Sequence, residues 1–573
     1  MTVPVIIIGG GPVGLVASIA LSQHRVPHLL FERYPGTSKH PKAVGLNIRT
    51  MEYIRALGLE QAVRDKAAPP HSHSKTAWYT SLGPDRREIL TRDAWGGGIY
   101  EAEYRAFSPC RLTVLPQIRL EPILLRRAKE LNPEGLFHSA EVVALQEVEK
   151  GVKVTVNHKD RSEVQTYEAN YVIAADGGRT VGPQLDIGMS GEENVMDMVS
   201  AHITAPLSLI HPNPDVLITW FIDPAKGGSI NTGYLYHLGP YNGKIEDEEW
   251  MFACATNPAD PRKFEKEDML KRLAETLQIP SDVEDKVELL SISHWLVNSI
   301  VADRFRSAPQ TGRVFLVGDA AHRVPPWGAL GLNTGIQDVQ NLVWKLALAI
   351  KNRKIGENDL PNNLLDTYEK ERRPIALRVA ETSLANLRNH ALAMDRALGI
   401  HPDAPSDHQK LRTAVVEAQS VLDSEFHAPG AETGWFYPST DVGLCGDPNH
   451  DGQLNKNGEF DIYKYHASTI PGHHMPHFWV QKGQTRKSIR DLLGHNEFVL
   501  FSKWPKWKAV HRDLSEIRVE ILDGQPGNWR DADASWERLP WYDGVQSEQQ
   551  ALLVRPDGII AWRMEEFFDE STE

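Results

Sequence analysis

The apolar positions near the start of the chain form short continuous runs rather than an alternating pattern. Residues 3–8 (VPVIII) make one run that is rich in β-branched side chains, and residues 27–31 (PHLLF) make another. Apolar runs of this length are typical of strands that are buried in a parallel sheet. Residues 15–23 between them have helical character, so the pattern predicts a strand, a helix and a second strand before residue 32.

Two later apolar runs lead into an acidic residue and a glycine. Residues 171–175 (YVIAA) are followed by Asp-Gly at 176–177, and residues 313–317 (RVFLV) are followed by Gly-Asp at 318–319. Both runs predict further buried strands. A helix is predicted from Gly335 onward, because the next apolar residues recur at helical spacing on one face.

The middle of the chain has a different pattern. Within residues 188–301, segments such as 216–222 and 233–238 read as half-buried strands, which favours an antiparallel sheet. Residues 375–430 are helical in composition, with many Ala, Leu, Arg and Glu. The chain therefore predicts a mixed α/β protein with an inserted sheet.

Composition limits the possible functions. With 573 residues, the chain is too long for one core at about 100–200 residues per domain, so we expect two or three domains. A formal charge of −14 argues against nucleic acid as the main partner, because phosphate binding needs a basic face. Three scattered cysteines favour a reducing compartment over a disulfide framework. We see no signal peptide or membrane helix, and we expect a cytoplasmic protein without a membrane partner.

The first predicted turn has the sequence expected for a dinucleotide site. Gly9 makes the tight turn, Gly11 lets a pyrophosphate approach the backbone, and Gly14 lets the helix pack closely on the strand. The amino terminus of the helix that follows would direct its free N–H groups at the pyrophosphate. Glu32 at the end of the second strand is suited to bind the ribose hydroxyls. These features alone leave FAD and NAD(P) both open.

The later motifs favour a flavin. An acid that follows a strand, such as Asp176 or Asp319, can accept hydrogen bonds from the hydroxyls of a ribityl chain. The glycine-rich helix start at residues 331–335 can present N–H groups to a ligand carbonyl. A flavin has both chemical features, whereas NAD has no ribityl chain.

Taken together and in this order, the motifs resemble those of the single-component flavoprotein aromatic hydroxylases, the para-hydroxybenzoate hydroxylase and phenol hydroxylase superfamily. Residues 115–121, 40–59 and 368–374 resemble further segments of that family, and residues 468–477 and 553–563 resemble its carboxy-terminal thioredoxin-like domain. The FAD contacts that the residues and the resemblance imply come from Gly9, Gly11, Pro12, Val13, Gly14, Glu32, Arg33, Lys42, Gln117, Asp176, Asp319, Gly331, Leu332 and Asn333.

The resemblance implies a fold class and a division into domains. The expected fold is α/β, with a Rossmann-type FAD-binding domain, an inserted antiparallel-sheet substrate domain and a carboxy-terminal thioredoxin-like α/β domain. The FAD-binding domain would take residues 1–187 and, with a helical linker, 302–430; the substrate domain would take 188–301. The last domain would take 431–573 and carries no CxxC, so we expect a packing or dimer role for it.

We expect no metal site. His473, His474 and His477 form a cluster in the last domain, but they are closely bunched and have no acidic or cysteine residue nearby in sequence. A tetrahedral site needs ligands that can surround the ion.

The resemblance also implies a reaction. NADPH or NADH would reduce FAD, O₂ would add to give a C4a-hydroperoxyflavin, and an oxygen atom would pass to a small phenolic or polyketide-type aromatic substrate. A homodimer is expected. Arg49, Tyr234 and Pro326 are the candidate catalytic residues, with Trp220, Tyr236 and His237 as further candidates for the lining of the site.

Three positions depart from the family pattern. One is Gly182, where many relatives have an arginine, so we expect weaker or differently arranged contacts with the nicotinamide cofactor. Phenol hydroxylases of this branch carry an aspartate immediately before the glycine that aligns with Gly45, whereas this chain has Val44. A carboxylate that would bind the substrate hydroxyl is therefore missing from that position. Trp327 follows the Pro325-Pro326 pair and is expected to narrow the pocket beside the flavin.

Three kinds of alternative function remain open at the level of sequence. On the same scaffold, a flavin monooxygenase can insert oxygen beside a ketone in a Baeyer–Villiger reaction, or form an epoxide. The chain could also be a non-catalytic protein that binds a flavin and an aromatic ligand. A flavin oxidase or dehydrogenase is the third alternative.

Overall fold

The structure is a computed structural model of the chain. It describes all residues except 1, 73, 214, 224–225, 227, 257–263, 354–359, 398–407, 438–453, 455–456, 495, 511–516, 540–549 and 565–573.

The strands of the described residues are numbered in chain order. They are β1 Thr2–Ile8, β2 His28–Phe31, β3 Gly45–Leu46, β4 Lys75–Tyr79, β5 Glu88–Asp93, β6 Thr113–Val114, β7 Leu136–Phe137, β8 Ala140–Val148, β9 Gly151–His158, β10 Glu163–Ala174, β11 Met189–Thr204, β12 Ile218–Phe221, β13 Gly233–Gly239, β14 Glu249–Ala255, β15 Glu288–Ala302, β16 Val314–Leu316, β17 His322–Arg323, β18 Trp479–Lys482, β19 Thr485–Ser488, β20 Phe498–Ser502, β21 Ile517–Ile521, β22 Arg530–Asp531, β23 Ala551–Val554 and β24 Ile560–Met564.

The helices are numbered in the same way. They are α1 Pro12–Gln23, α2 Ile48–Ala56, α3 Glu60–Arg64, α4 Glu101–Phe107, α5 Gln117–Leu131, α6 Val181–Gln184, α7 Ser229–Thr232, α8 Lys266–Leu277, α9 Ser281–Glu284, α10 Gly331–Arg353, α11 Leu360–Ala397, α12 His408–Phe426, α13 Pro429–Thr433 and α14 Trp507–Val510.

The first sheet is the one predicted from the continuous apolar runs. Its strand order is β7-β2-β1-β10-β9-β8, with β16 paired to β10. Strand β1 is parallel to both β2 and β10, with Ile8 opposite Phe31 and Ala174. Residues 5–8 are buried in the main hydrophobic core, because helices cover both faces of a parallel sheet. The carboxyl ends of β1, β2 and β10 therefore meet at one edge.

The second sheet has the order β17-β15-β11-β14-β13-β12-β4-β5 and is mostly antiparallel. Strands β12 and β13 form at the segments 216–222 and 233–238, where strands are predicted, with β13 one residue longer. The expectation that they are half-buried is wrong, because β12 is buried throughout and β13 at all but two positions. The predicted substrate domain of 188–301 leaves out β4 and β5, which pair with this sheet from within 1–187. Strand β4 pairs in parallel with β12, so its partner lies far away in sequence and no hairpin signal marks the pairing.

The carboxy-terminal part contains a four-stranded sheet, β21-β20-β23-β24, and a three-stranded sheet, β19-β18-β22. It joins the part of the molecule that contains the first sheet through buried ion pairs. Arg555 donates to both oxygens of Glu371 on α11, at 2.8 and 3.0 Å. Arg490 lies 3.0 Å from Glu52 on α2.

None of the described helices is both long enough and apolar enough to cross a membrane.

Candidate active site

The turn between β1 and α1 has no room for side chains. Gly9 has φ +105°, and a Cβ there would lie 2.3 Å from the carbonyl oxygen of Ala175. A Cβ on Gly14 would lie 2.0 Å from the carbonyl oxygen of Gly9. Both glycines are therefore required by backbone contacts, as the sequence pattern predicts.

Gly11 is different, because it faces open space. No atom outside its chain neighbours lies within 4 Å of the position of its Cβ. It caps α1 without a side-chain hydrogen bond, and Pro12 occupies the first turn. The side chain of Val13 lies beside Gly318 and Gly335, where a Cβ on either glycine would crowd it. The start of α1 is thus an open surface with free N–H groups, which fits a pyrophosphate.

Glu32 follows β2 and points back to the glycine turn. One carboxylate oxygen accepts from the N–H of Gly10 at 2.6 Å, and the other accepts from the N–H of Tyr34 at 2.8 Å. These bonds fix the carboxylate at the carboxyl edge of the first sheet. That position fits the ribose contact that the sequence predicts.

The two later acidic residues have different surroundings. Asp176 accepts from the N–H groups of Gly178, Thr180 and Val181, at 3.1, 2.7 and 2.9 Å, so it holds the turn before α6. Asp319 is exposed, and no described residue hydrogen-bonds its carboxylate. Asp319 therefore has far more unused acceptor capacity for ligand hydroxyls than Asp176, whose carboxylate already accepts three hydrogen bonds.

The remaining predicted cofactor residues lie near this edge with unequal exposure. Gln117 begins α5, and its side chain donates to Glu121 at 2.6 Å while its N–H donates to the carbonyl of Ala43. Lys42 is exposed. Arg33 is half-buried, with its guanidinium carbon 4.8 Å from the centre of the Tyr34 ring.

The start of α10 carries three predicted cofactor residues and also contacts two loops, at residues 44–47 and 326–329. Gly331 and Leu332 form its first turn. Asn333 is buried and donates to the carbonyls of Gly45 and Ala329, at 3.1 and 2.7 Å. Its side-chain oxygen accepts from the N–H of Asn47 at 3.0 Å. The segments around residues 44–47 and 326–329 are thereby held together.

A buried charge cluster supports the Gly318-Asp319 turn from behind. Asp338 on α10 accepts from the N–H of Gly318 at 3.0 Å, from His322 at 2.9 Å and from Arg372 at 2.8 Å. Burial opposes ionisation of this carboxyl, but His322 and Arg372 hold its pKa below the usual range. The turn is therefore fixed before any ligand binds.

A narrow cavity of about 50 Å³ lies between these loops and the second sheet. Its walls are apolar apart from one carboxyl group, Glu425, and two tyrosines. The loop residues that line it are Val44, Gly45 and 326–329, and the aromatic residues are Trp95, Trp220, Tyr234, Tyr236 and Trp327. Because the two loops also flank the start of α10, the cavity adjoins the predicted flavin position.

Comparison with known proteins identifies the family. The FAD binding domain model matches residues 2–383, and the model for the carboxy-terminal part of aromatic-ring hydroxylases matches residues 468–572. The chain belongs to the FAD-binding aromatic-ring hydroxylases.

Several relatives cover nearly all of the hydroxylase. A 2,4-dichlorophenol 6-monooxygenase of Delftia acidovorans is 30% identical over 98% of this chain and 94% of its own. A putative polyketide hydroxylase of Streptomyces halstedii is 32% identical, with the same coverage of 98% and 94%. The solved structure of the flavin-dependent monooxygenase PieE with FAD and substrate has a TM-score of 0.86 at 30% identity, over 98% of this chain and 96% of that one.

These findings confirm the predicted family, fold class and cofactor. The hydroxylase is a flavoprotein monooxygenase with FAD as its cofactor and NADPH or NADH as its co-substrate. Its glycine turn, the free start of α1 and the exposed Asp319 fit FAD on the structural grounds given above.

The structure brings together several of the predicted substrate residues. Tyr234, Pro326 and Trp327 all line the cavity, as do Trp220 and Val44. His237 does not line it, because its ring stacks on Trp250 with a centroid distance of 4.4 Å.

Arg49 is not among the residues that line the cavity. It is buried on α2, 2.9 Å from Glu52, and it donates to the carbonyl of Thr433 at 3.2 Å. Its guanidinium also lies over the ring of Tyr465 at 5.3 Å. These contacts tie α2 to the later part of the chain.

Sequence analysis missed two polar residues of the site. Glu425 near the end of α12 lines the cavity, and His390 on α11 donates to it or accepts from it at 2.8 Å. Both lie within residues 375–430, which the composition predicts to be helical and which include the expected linker. Their only signal was an acid and a histidine within helices of otherwise amphipathic character.

The histidine cluster of the last domain takes part in packing. His473 stacks on Phe436 at 4.6 Å, His474 meets the edge of Trp435 at 4.2 Å, and His477 bonds Ser488 at 2.9 Å. Across the part of the chain that the structure describes, no group of three or more His, Cys, Asp or Glu residues is arranged to hold a metal ion.

Proposed function

We propose that the hydroxylase adds one oxygen atom to the ring of a phenolic or polyketide-type aromatic, and that the reacting ring lies in the cavity between residues 326–329 and the second sheet. The observation that carries this is the position of the cavity. The loops at 44–45 and 326–329 line the cavity, and Asn333 at the start of α10 holds both of them. Because Asn333 is also a predicted cofactor residue, the cavity lies next to the predicted cofactor site.

The walls suit a flat apolar ring. Five aromatic side chains line the cavity, and Trp220 lies 4.8 Å from Tyr234 between ring centres. Its volume of about 50 Å³ is enough for several waters on the scale where one water needs about 10–15 Å³. A single aromatic ring displaces a comparable amount of water, so we expect larger substrates to need movement of the aromatic walls.

The protein has three tasks in this reaction. FAD, when bound and reduced by NADPH or NADH, supplies the activation of O₂. The aromatic walls exclude water from the reacting face and orient the ring. We assign Tyr234 and Pro326 to the wall of the cavity, and Gly11, Glu32 and Asp319 to contacts with the cofactor. A catalytic role for Arg49 stays a prediction.

The relatives support this class of substrate. They include proteins named 2,4-dichlorophenol 6-monooxygenase, phenol 2-monooxygenase and tetracenomycin A2 monooxygenase-dioxygenase, each about 30% identical over 98% of this chain. Together with the putative polyketide hydroxylase of Streptomyces halstedii, their names cover both single-ring phenols and polyketides. The choice between these two groups is a matter for the experiment.

The test is the absorbance spectrum of the purified protein, followed by the rate of NADPH and NADH oxidation with a panel of single-ring and fused-ring phenols. We expect a flavin spectrum, faster nicotinamide oxidation with one group of phenols, and an oxygenated product in nearly equal amount. Absence of flavin after reconstitution with FAD would overturn the proposal. Faster oxidation that yields only hydrogen peroxide, or acceleration by ketones alone, would also contradict it.

We further propose that the protein is a cytoplasmic homodimer that prefers one of the two nicotinamide cofactors. Light scattering on the eluted holoenzyme measures the oligomeric state, and the ratio of kcat/KM for NADPH and NADH measures the cofactor preference. A monomer at micromolar concentration would contradict the expected dimer.

A further inference from the structure

The cavity contains one carboxyl group among its described lining residues, and it comes from an unexpected side. Glu425 lies near the end of α12 and is only 6% exposed. Val44 lines the same cavity with an apolar side chain. At this position the resemblance to phenol hydroxylases implies an aspartate. The site therefore has a carboxyl group, but on a different element.

Glu425 is held in place by one partner. Its Oε2 lies 2.8 Å from Nδ1 of His390, which is fully buried on α11. No described residue hydrogen-bonds Oε1 of Glu425. One carboxyl oxygen is thus engaged, and the other remains available to a group in the cavity.

The imidazole of His390 has little freedom to turn. Its ring centre lies 4.1 Å from Trp220, 5.9 Å from Trp78 and 6.2 Å from Phe426. Its Nε2 is buried and has no hydrogen-bond partner among the described residues. Among the described residues, the contact with Glu425 is therefore the only hydrogen bond of this side chain, and it fixes the direction of the carboxyl group.

The charges around Glu425 come from three elements. His390 faces it from α11, Arg92 acts on it from β5, and Tyr234 and Tyr236 lie near it on β13. Burial raises the pKa of Glu425, while His390 and Arg92 act in the opposite direction. Arg92 also pairs with Asp423, which reduces its influence. The carboxylate thus binds a proton more strongly than an exposed glutamate does.

We propose that Glu425 is the catalytic base that accepts the proton of the aromatic hydroxyl of the substrate, and that His390 is its positioning residue. This inference rests on the function proposed above. The O–H bond of the substrate breaks and leaves its electron pair on the phenolate oxygen, while a new O–H bond forms on Glu425. The proton later returns to the product oxygen, so no group is oxidised or reduced in this step.

The first test compares Glu425→Gln with Glu417→Gln. Both residues are on α12 and both changes remove one negative charge, but Glu417 is exposed. With weakly acidic phenols we expect Glu425→Gln to lower kcat for hydroxylation by about 100-fold, which is the usual size of general base catalysis. The loss should shrink with more acidic phenols and at higher pH, where the substrate ionises without help. Glu417→Gln should behave as the wild type.

The second test concerns His390. His390→Gln removes a partner that lowers the pKa of Glu425, so the acidic limb of the pH–rate profile should move to higher pH. A residue that only supports folding would lower the rate equally at every pH. An unmoved acidic limb in His390→Gln would overturn the positioning role.

A third measurement needs no turnover. The difference spectrum of para-nitrophenol bound to the oxidised holoenzyme reports whether the bound phenol is ionised. We expect a phenolate band with the wild type below the pH at which the free phenol ionises, and no such band with Glu425→Gln. If Glu425→Gln fails to retain FAD, the wild-type spectrum decides, because a bound phenol that stays neutral contradicts the inference.

The outcomes separate this inference from the proposed function. If the wild type hydroxylates no phenol, the proposed function is wrong. If the wild type hydroxylates phenols and Glu425→Gln matches Glu417→Gln at every pH, the function stands and the role of Glu425 is wrong.

Discussion

The FAD-binding turn and the substrate cavity lie side by side but are built in opposite ways. The turn consists of backbone atoms from consecutive residues, and a methyl group on Gly14 would lie 2.0 Å from a carbonyl oxygen. The cavity consists of side chains from distant segments, such as Val44, Trp220 and Glu425. We infer that cofactor recognition tolerates almost no substitution, whereas the cavity can change side chain by side chain without loss of the fold.

The two regions share one structural element. Asn333 at the start of α10 donates to the carbonyls of Gly45 and Ala329, and both of these residues line the cavity. The start of α10, which belongs to the predicted cofactor site, therefore also positions two residues of the substrate cavity.

The largest effect is expected in the glycine turn. Gly14→Ala would place a Cβ against the carbonyl oxygen of Gly9, and this backbone contact cannot move aside cheaply. We expect the purified variant to contain no bound flavin, as measured by its visible spectrum. Gly36→Ala is the matched control, since its Cβ meets nothing within 4 Å. Normal FAD content in Gly14→Ala would contradict the contrast between the two regions.

A second prediction concerns the buried ion pairs that Glu371 forms with Lys345 and Arg555. Burial opposes ionisation of Glu371, but Arg555 and Lys345 lower its pKa to about 2. Because the pKa is lower in the folded state than its usual value of 4.5, the stabilisation is complete above about pH 4.5 and is lost as the pH falls toward 2.

Glu371→Gln should therefore lower the free energy of unfolding by about 3–5 kcal/mol at pH 7, because it leaves Lys345 buried without its counter-ion and leaves Arg555 with Asp557 alone. Its stability should also depend less on pH between about 4.5 and 2. Urea unfolding at a series of pH values measures both effects. Glu381→Gln changes an exposed residue on the same helix and should leave the stability unchanged.

A smaller effect is expected in the cavity wall. The indole Nε1 of Trp327 is buried and has no hydrogen-bond partner among the described residues. Because Trp327 lines the cavity, we expect this unused donor to bind an oxygen of the substrate. Trp327→Phe keeps most of the wall and removes the donor, so we expect KM to rise about 5–10-fold, in line with about 1–1.5 kcal/mol for one hydrogen bond.

The control for this prediction is Trp562→Phe, at a position that is 40% exposed. KM should be unchanged there. An equal KM for Trp327→Phe and the wild type would show that the indole makes no contact with the substrate.

The smallest effect is expected for Tyr234→Phe. Burial raises the pKa of this hydroxyl well above 10, so it stays protonated at neutral pH, and no described residue hydrogen-bonds it. Its loss should raise KM about threefold or less while the ring packing against Trp220 is kept. A loss of kcat greater than about 10-fold would instead assign chemistry to the hydroxyl, as the sequence analysis suggested.

The contrast between the two regions also explains what could be predicted. The turn at residues 9–14 is local, and each glycine is required by backbone geometry, so its sequence specifies its structure. The apolar run at 3–8 predicts β1 for the same reason, since a strand buried on both faces needs continuous apolar side chains.

The side chains of the cavity carry no such local signal. Glu425 and His390 are 35 residues apart and meet only because α11 and α12 pack against each other. Arg49 shows the reverse problem. Its place on the helix after the ribose acid suggested the substrate site, but Glu52, three residues later, lies close enough to bind its charge. Such outcomes depend on tertiary packing, which periodicity does not encode.

The ion pair between Arg555 and Glu371 joins residues that are 184 positions apart. At a synthesis rate of about 5–20 residues per second, Glu371 leaves the ribosome roughly 10–40 s before Arg555. During that interval, the polar partners of Glu371 and Lys345 among the described residues of the earlier chain are each other and Asn341. The buried charges of the cofactor-binding half are thus completed by a segment that is translated 184 positions later, and we expect FAD to be captured firmly only after that segment has been made.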